Sequence, residues 1–441
     1  MPPGRARFDL NKQHFCLYFR LMKNDPADLI HGFDWEQRLP VVPQIQVTLN
    51  CNLACEYCFQ KHSGGIIDLS TVDAILSAVI AHNLTVDPEN RRIQVYWHGG
   101  EPLLAGLDFF REVIRLEARY PELSFDNRLQ TNGTLLKDEF AGFLVENHFH
   151  VGFSLDGPAK VHDRHRRFAS SGLGTFDAAM KGIECYRHHS RSDRVAAIAV
   201  VTRAGIGLAR ELFDFFRELK ADVQLDIYDL RCRETDQNLG NGSSLFALAP
   251  SPREIERFLI DLFDLWFHDP DPRVDFRELR QEVKMILRPE IDRGSPIHKK
   301  RCDFRRLIFA PTGLAYCCDQ WINDEQTALG DIHADSLAVI LRRKAALWDA
   351  IKRRVRQSDG NMACGECEWG RQCGGGCISC VKYNALLLRA RGEGLPDGRW
   401  AETVLPPRLD AIRGETYYCE GLRAFRRHAK QVVLKELGNA G

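Results

Sequence analysis

Residues 44–58 read Gln-Ile-Gln-Val-Thr-Leu-Asn-Cys-Asn-Leu-Ala-Cys-Glu-Tyr-Cys. The first six, Gln44–Leu49, alternate polar and apolar side chains, the period of a strand. The strand runs into Cys51, Cys55 and Cys58, a CxxxCxxC spacing. Three thiolates so placed suit three irons of a 4Fe–4S cube. One iron is then left without a protein ligand, and an open coordination position is what catalytic metal sites keep and structural ones avoid. A zinc site is the competing reading of the same three cysteines.

Working outward, further strand-like runs follow at Ile93–Trp97, Asp126–Gln130, His150–Ser154, Val195–Val201 and Val223–Tyr228. Helical patterns separate them at Thr71–His82, Asp108–Glu117, Lys137–Glu146, Phe176–His188 and Leu208–Leu219. Six βα units in succession predict an α/β fold with a parallel sheet and helices outside. Six are too few for a closed eight-unit barrel, so a partial (β/α)6 barrel over 44–230 is expected. Its site should lie at the C-terminal ends of the strands. Residues 1–43 form an N-terminal extension with an edge strand or hairpin at His14–Met22. Residues 231–301 bridge: a Gly/Asn/Ser-rich loop over 232–250, then helices Ser251–Phe267 and Arg277–Leu287. Ser251 is placed to cap the first of these and Pro252 to begin it. Residues 302–419 carry a second group of cysteines, and a basic helix over Tyr417–Leu437 fills the last segment, 420–441.

The chain has 441 residues and 15 cysteines. No apolar h-region opens it and no run of about 18 apolar residues interrupts it, so neither a signal peptide nor a membrane span is expected. The expected compartment is the cytosol, where so many thiols read as metal ligands before disulfides. Lys+Arg and Asp+Glu are both 60, and a nucleic-acid binder would carry a basic excess. The basic runs Arg164–Arg167, Lys352–Arg356 and Arg423–Lys430 read as solvated helix faces. Cys16, Cys185 and Cys232 stand apart from the clusters and read as small buried hydrophobes.

At the end of the second strand stands His98-Gly99-Gly100-Glu101-Pro102. CxxxCxxC after the first strand with this GGEP run after the second resembles the radical S-adenosylmethionine (SAM) superfamily. The resemblance implies that the open iron binds SAM and that its reductive cleavage yields a 5′-deoxyadenosyl radical, which takes a hydrogen atom from a substrate. It also implies that Tyr57 lies near the adenine and Ser154, of Ser154-Leu155-Asp156-Gly157-Pro158, near the ribose. Gly99 and Gly100 would let backbone approach the ligand, Glu101 and neighbouring carbonyls would accept its ammonium, and Pro102 completes the motif. His162, Asp163 and Arg166 resemble the family's HDxxR run, with Arg166 facing the SAM carboxylate or exposed as a surface charge. Asp156 alternatively caps the turn that follows it.

Cys302, Gly313, Cys318, Cys364, Cys367, Cys373, Cys377 and Cys419 follow at spacings that resemble the seven-cysteine SPASM domain of two auxiliary clusters. A single zinc ribbon would leave Cys302, Cys318 and Cys419 unused. The resemblance implies an inner cluster on Cys302, Cys318 and Cys377 and an outer one on Cys364, Cys367, Cys373 and Cys419, three 4Fe–4S clusters in all. Ile308 and its neighbours supply no extra inner cysteine, so Cys317 and Cys380 are candidates for the fourth ligand; otherwise an iron stays open to substrate. Asp319 matches the carboxylate that takes a substrate proton in sulfatase-maturing relatives, or is an exposed loop aspartate.

Relatives with this pair of domains modify peptides or proteins. The texture of Trp97–Gly106 and Ser154–Arg167 favours a maturase of a ribosomally made peptide that forms a cyclophane-type carbon bond. The alternatives are a sulfatase-type formylglycine generator, a small-molecule radical dehydrogenase and, outside enzymes, a zinc-binding scaffold. Expected partners are the precursor peptide or protein, an electron donor such as flavodoxin or ferredoxin, and a separate leader-binding protein; neither nucleic acid nor membrane is expected.

Overall fold

Strand β1 (Val42–Gln46) lies inside a sheet rather than at its edge. On one side it pairs in parallel with β2 (Arg92–His98). Then follow β3 (Ser124–Thr131), β4 (His150–Ser154), β5 (Val195–Val201) and β6 (Ala221–Ile227), all parallel. The computed structural model describes residues 39–228, 248–271, 273–287, 305–322, 325–345, 367–369 and 419–439. The expected extension strand at His14–Met22 and most of the loop 232–250 lie outside them.

The helices between strands are α1 (Leu69–Val86), α2 (Gly106–Glu117), α3 (Asp138–Glu146), α4 (Ala159–His165), α5 (Phe176–His189) and α6 (Ala209–Glu218). All but α4 begin or end within a few residues of the run that predicts them; no such run predicts α4. Ile45, Val95, Trp97, Leu129, Phe153 and Val223 point outward onto Val72, Ile75, Phe110, Leu144 and Phe216 of these helices, in one core. Burying each such side chain contributes about 1.5–3 kcal/mol. Helix α1 is long and apolar enough to cross a membrane, but Val72, Ile75, Leu76 and Val79 are fully buried in this core.

The sheet exceeds the six expected strands. A seventh strand, β7 (Asp275–Phe276), joins β6 from the bridging region. On the far side of β1, β8 (Arg306–Phe309) pairs in parallel, followed by antiparallel β9 (Leu314–Tyr316) and β10 (Gly330–Asp331). The result is one mixed sheet of ten strands, open between β7 and β10. The boundary expected at residue 302 is therefore not a break in the sheet, because Arg306–Phe309 completes the hydrogen bonding of β1.

The expected capping of α7 (Pro252–Phe267) is present in full. Ser251 Oγ accepts from the Glu254 amide and the Glu254 side chain accepts from Ser251 N, with Pro252 in the first turn. Helix α8 (Arg277–Leu287) matches its expected bounds. Helix α9 (Cys419–Asn439) packs on α7 through Phe425 and Phe263, 5.8 Å apart edge to face. The Arg423–Lys430 run is not wholly a solvated face: Arg426 is 2% exposed and pairs bidentately with Glu282 at 3.0 Å.

Candidate active site

The inner face of the sheet is polar. Gln44, Gln46, Gln94, Tyr96, His98, Arg128, Gln130 and Ser154 alternate with the core residues along β1–β4 and face inward. Gln46 is level with His98, and Gln44 with Tyr96. Lower down, Asp126 accepts from Arg92 at 2.9 Å, Gln94 at 2.9 Å and Arg128 at 3.2 Å. Burial opposes its charge, but Arg128 and Arg92 outweigh that and hold the carboxyl below its usual range. The Tyr96 ring lies between the guanidinium groups of Arg128 (5.7 Å) and Arg306 (4.5 Å). This layer forms a floor, and the mouth opens at the strands' C-terminal ends.

At that mouth the CxxxCxxC loop follows β1. Cys55 is buried and Cys51 and Cys58 are partly exposed. Leu53 N donates to Cys51 Sγ at 3.4 Å, and Asn132 Nδ2 lies 3.8 Å from the same sulfur. Asn132 also donates to Asn52 at 2.9 Å, which donates to Thr134 at 2.8 Å. The polar tip Thr131-Asn132-Gly133 thus braces the loop, a partnership its sequence does not reveal. Burial pushes the thiols of Cys51 and Cys55 up to about 11 and about 12, so metal loading must expel their protons. Among the described residues no three ligating side chains converge on one ion. Three thiolates on one loop suit a cube, in which each binds a different iron.

Gly99 and Gly100 press against the chain itself. A Cβ on Gly99 would lie 2.4 Å from the Thr48 carbonyl oxygen, and one on Gly100 2.1 Å from that of Asn50. The two turns are laced by Gly100 N to Thr48 O at 2.8 Å and Glu101 N to Asn50 O at 2.9 Å. Glu101, fully buried, likewise turns inward. Its carboxyl accepts from Leu103 N (3.0 Å), Thr131 Oγ1 (2.7 Å) and Asn132 N (2.7 Å). Burial raises it to about 7 despite these donors. Its side chain therefore joins the ends of β2 and β3. Pro102 begins a short 3-10 turn capped by Glu101.

Two expectations at the fourth strand are corrected. Arg166 is not a surface charge: it is 7% exposed and bonds Asp156 through Nε and Nη2, each at 3.0 Å. Asp156 caps no following turn; it also accepts from Val200 N at 2.9 Å and from the Tyr57 hydroxyl. Burial opposes its ionisation, yet Arg166 holds it below the usual carboxylate range. Tyr57 packs against Tyr228 and His165 with its hydroxyl turned inward. Ser154 accepts from Gln130 Nε2 at 3.0 Å.

Asp319 is half-buried at the start of a 3-10 turn, its Oδ1 3.6 Å from Cys318 Sγ. The exposed-loop alternative does not hold. It lies near enough to His98 for its charge to favour the protonated imidazole, although burial dominates and lowers the His98 pKa. Cys317 is buried and Cys318, Cys367 and Cys419 are partly exposed. Cys302, Cys364, Cys373, Cys377 and Cys380 lie outside the described residues.

The model of the radical SAM superfamily matches residues 45–207. The serine-type anaerobic sulfatase-maturating enzyme of Klebsiella aerogenes is 30% identical over 383 residues, 85% of this chain and 87% of that one. The chain belongs to the radical SAM superfamily. The cysteine-type sulfatase-maturating enzyme of Clostridium perfringens is 27% identical over 339 residues, 75% of this chain and 86% of that one. Among solved structures, anSMEcpe with bound AdoMet and Cp18Cys peptide superposes with a TM-score of 0.70 at 24% identity, covering 91% of this chain and 100% of that one. Streptococcus suis SuiB bound to precursor peptide SuiA shares the fold with a TM-score of 0.54 at 17% identity, over 78% of this chain and 73% of that one. This radical SAM enzyme is thus no zinc scaffold. The relatives also displace the cyclophane-forming preference in favour of the sulfatase-maturating alternative.

Proposed function

We propose that this enzyme is an anaerobic maturase that oxidises a serine or cysteine side chain of a peptide or protein to formylglycine. The observation that carries the reading is the likeness to the serine-type maturase, which spans 85% of this chain, well beyond the radical SAM match. SAM and a 4Fe–4S cluster held by Cys51, Cys55 and Cys58 would supply the hydrogen-abstracting radical. The polar inner face receives the substrate segment, over the Asp126–Arg128–Tyr96–Arg306 floor. Asp319, near His98, accepts the hydroxyl or thiol proton. Burial lowers the pKa of His98, which disfavours a competing cation beside Asp319. The cysteines from Cys302 to Cys419, with Cys317 or Cys380 as candidate fourth inner ligand, would hold two auxiliary clusters, which would supply an acceptor for the remaining electron, and a flavodoxin or ferredoxin would provide reduction.

The test uses anaerobically reconstituted enzyme, SAM, a reductant, and the Cp18Cys peptide or its serine counterpart. The expected result is an aldehyde trapped by a hydrazine reagent, with the serine peptide lighter by two hydrogens. A peptide lighter by two hydrogens with a ring and no aldehyde would restore the cross-linking reading.

A further inference from the structure

The cluster loop is lined along one edge by backbone of residues 165–169. Ala54 N donates to the Arg167 carbonyl at 2.8 Å, Glu56 N to that of His165 at 3.0 Å, and Ala169 N to that of Asn52 at 3.0 Å. Leu53 and Phe168 complete an antiparallel bridge. His165 Nδ1 lies 2.6 Å from Glu56 Oε2 and its Nε2 3.1 Å from Thr202 Oγ1. All of these contacts join protein groups to one another.

The centre of this mould is charged. Arg166 and Asp156 are both buried, and the guanidinium sits 5.3 Å from the centre of the Tyr57 ring, between Cys55 and Cys58 in sequence. Thr175 Oγ1 donates to the Arg166 carbonyl at 3.1 Å, and His162 Nε2 lies 3.0 Å from Thr175 Oγ1. Stability alone does not call for an ion pair here, because apolar residues of similar volume often do as well.

We propose that Arg166 is a positioning residue for the catalytic cluster: locked to Asp156 and braced on Tyr57, it holds the Cys51–Cys58 loop in its binding shape before iron arrives and places a positive charge behind Cys55. Ordering the loop at folding removes that entropic cost from cluster loading. A cation close to a cluster favours its reduced form, one of the ways surroundings set a cluster's potential. The inference concerns cluster assembly and does not depend on which substrate is oxidised.

The experiment compares the full-length enzyme with Arg166→Met and with the double variant Asp156→Asn/Arg166→Met. Three quantities are read: the melting temperature before iron is added, the rate and extent of anaerobic iron loading, and the cluster's midpoint potential. Arg166→Met should melt lower and load several-fold more slowly. The double variant, relieved of a lone buried carboxylate, should regain most of the melting temperature yet keep slow loading and a more negative potential. A double variant with wild-type loading and potential would show the network to be structural only, and overturn the proposal. If the double variant does not fold, Tyr57→Phe decides, since it keeps both charges and loses only the tether. Slower loading at unchanged potential is expected, and wild-type loading overturns the proposal.

Discussion

The Cα of Gly100 lies against the carbonyl of Asn50 so closely that a Cβ would stand 2.1 Å from the oxygen. This contact joins the turn after β2 to the cluster loop after β1, so the GGEP run acts first as a brace for the cysteines. Gly100→Ala forces backbone to move on both turns, at the upper end of the about 1–3 kcal/mol usual for overpacking. We expect a lower melting temperature together with loss of bound iron; iron content and melting behaviour like wild type would refute the brace.

Cys55 is a small, buried side chain on a loop outside the strands. Cys55→Ala should keep the fold and abolish SAM cleavage, because the three-thiolate site is incomplete. Circular dichroism and deoxyadenosine release check the two halves; persistent deoxyadenosine would remove this loop from the cluster site. Cys373→Ala, in an auxiliary set, should retain part of the cleavage and lose product. Full product formation there would show that set to be dispensable.

Asp319→Asn should separate radical generation from product formation. With no base for the substrate proton, product should fall by about 100-fold or more. Deoxyadenosine should still form, because Asp319 does not touch Cys51, Cys55 or Cys58. Equal loss of both would place Asp319 in cluster assembly instead.

Glu117 and Glu278 are buried carboxyls, each raised by desolvation to about 7. Both lie on helices away from the cysteine loop. A folded pKa above the unfolded one means the folded state binds more protons between about 4.5 and 7. Stability is therefore greatest below that window and falls as pH rises through it. Glu117→Gln should remove part of the slope, gaining about 1–3 kcal/mol over wild type at pH 8 relative to pH 5. Parallel curves for the two proteins would refute this.

Gln46 is fully buried and neither end of its carboxamide has a hydrogen-bond partner among the described residues. An unpaired buried amide costs about 1–3 kcal/mol. Gln46→Leu should raise the melting temperature of the enzyme without substrate; a fall would mean the amide is satisfied.

Much of this architecture is local in origin. Strand alternation at Gln44–Leu49 and β-rich runs such as Val195–Val201 mark the strands. Ser251 and Pro252 mark a helix start, and the spacing of Cys51, Cys55 and Cys58 marks the metal loop. Each depends on residues within one turn or one strand of each other, so the linear order suffices. The sequence by itself determined the strand–helix alternation, the position of the cysteine loop and the motif after β2. Tertiary structure alone decided that Arg306–Phe309 extends the sheet beside β1, that Asp319 comes near His98, and that Arg166 pairs with Asp156. Those outcomes depend on desolvation and on charges meeting across long stretches of chain. A buried arginine and an exposed one read alike in sequence; only packing removes the water that separates them.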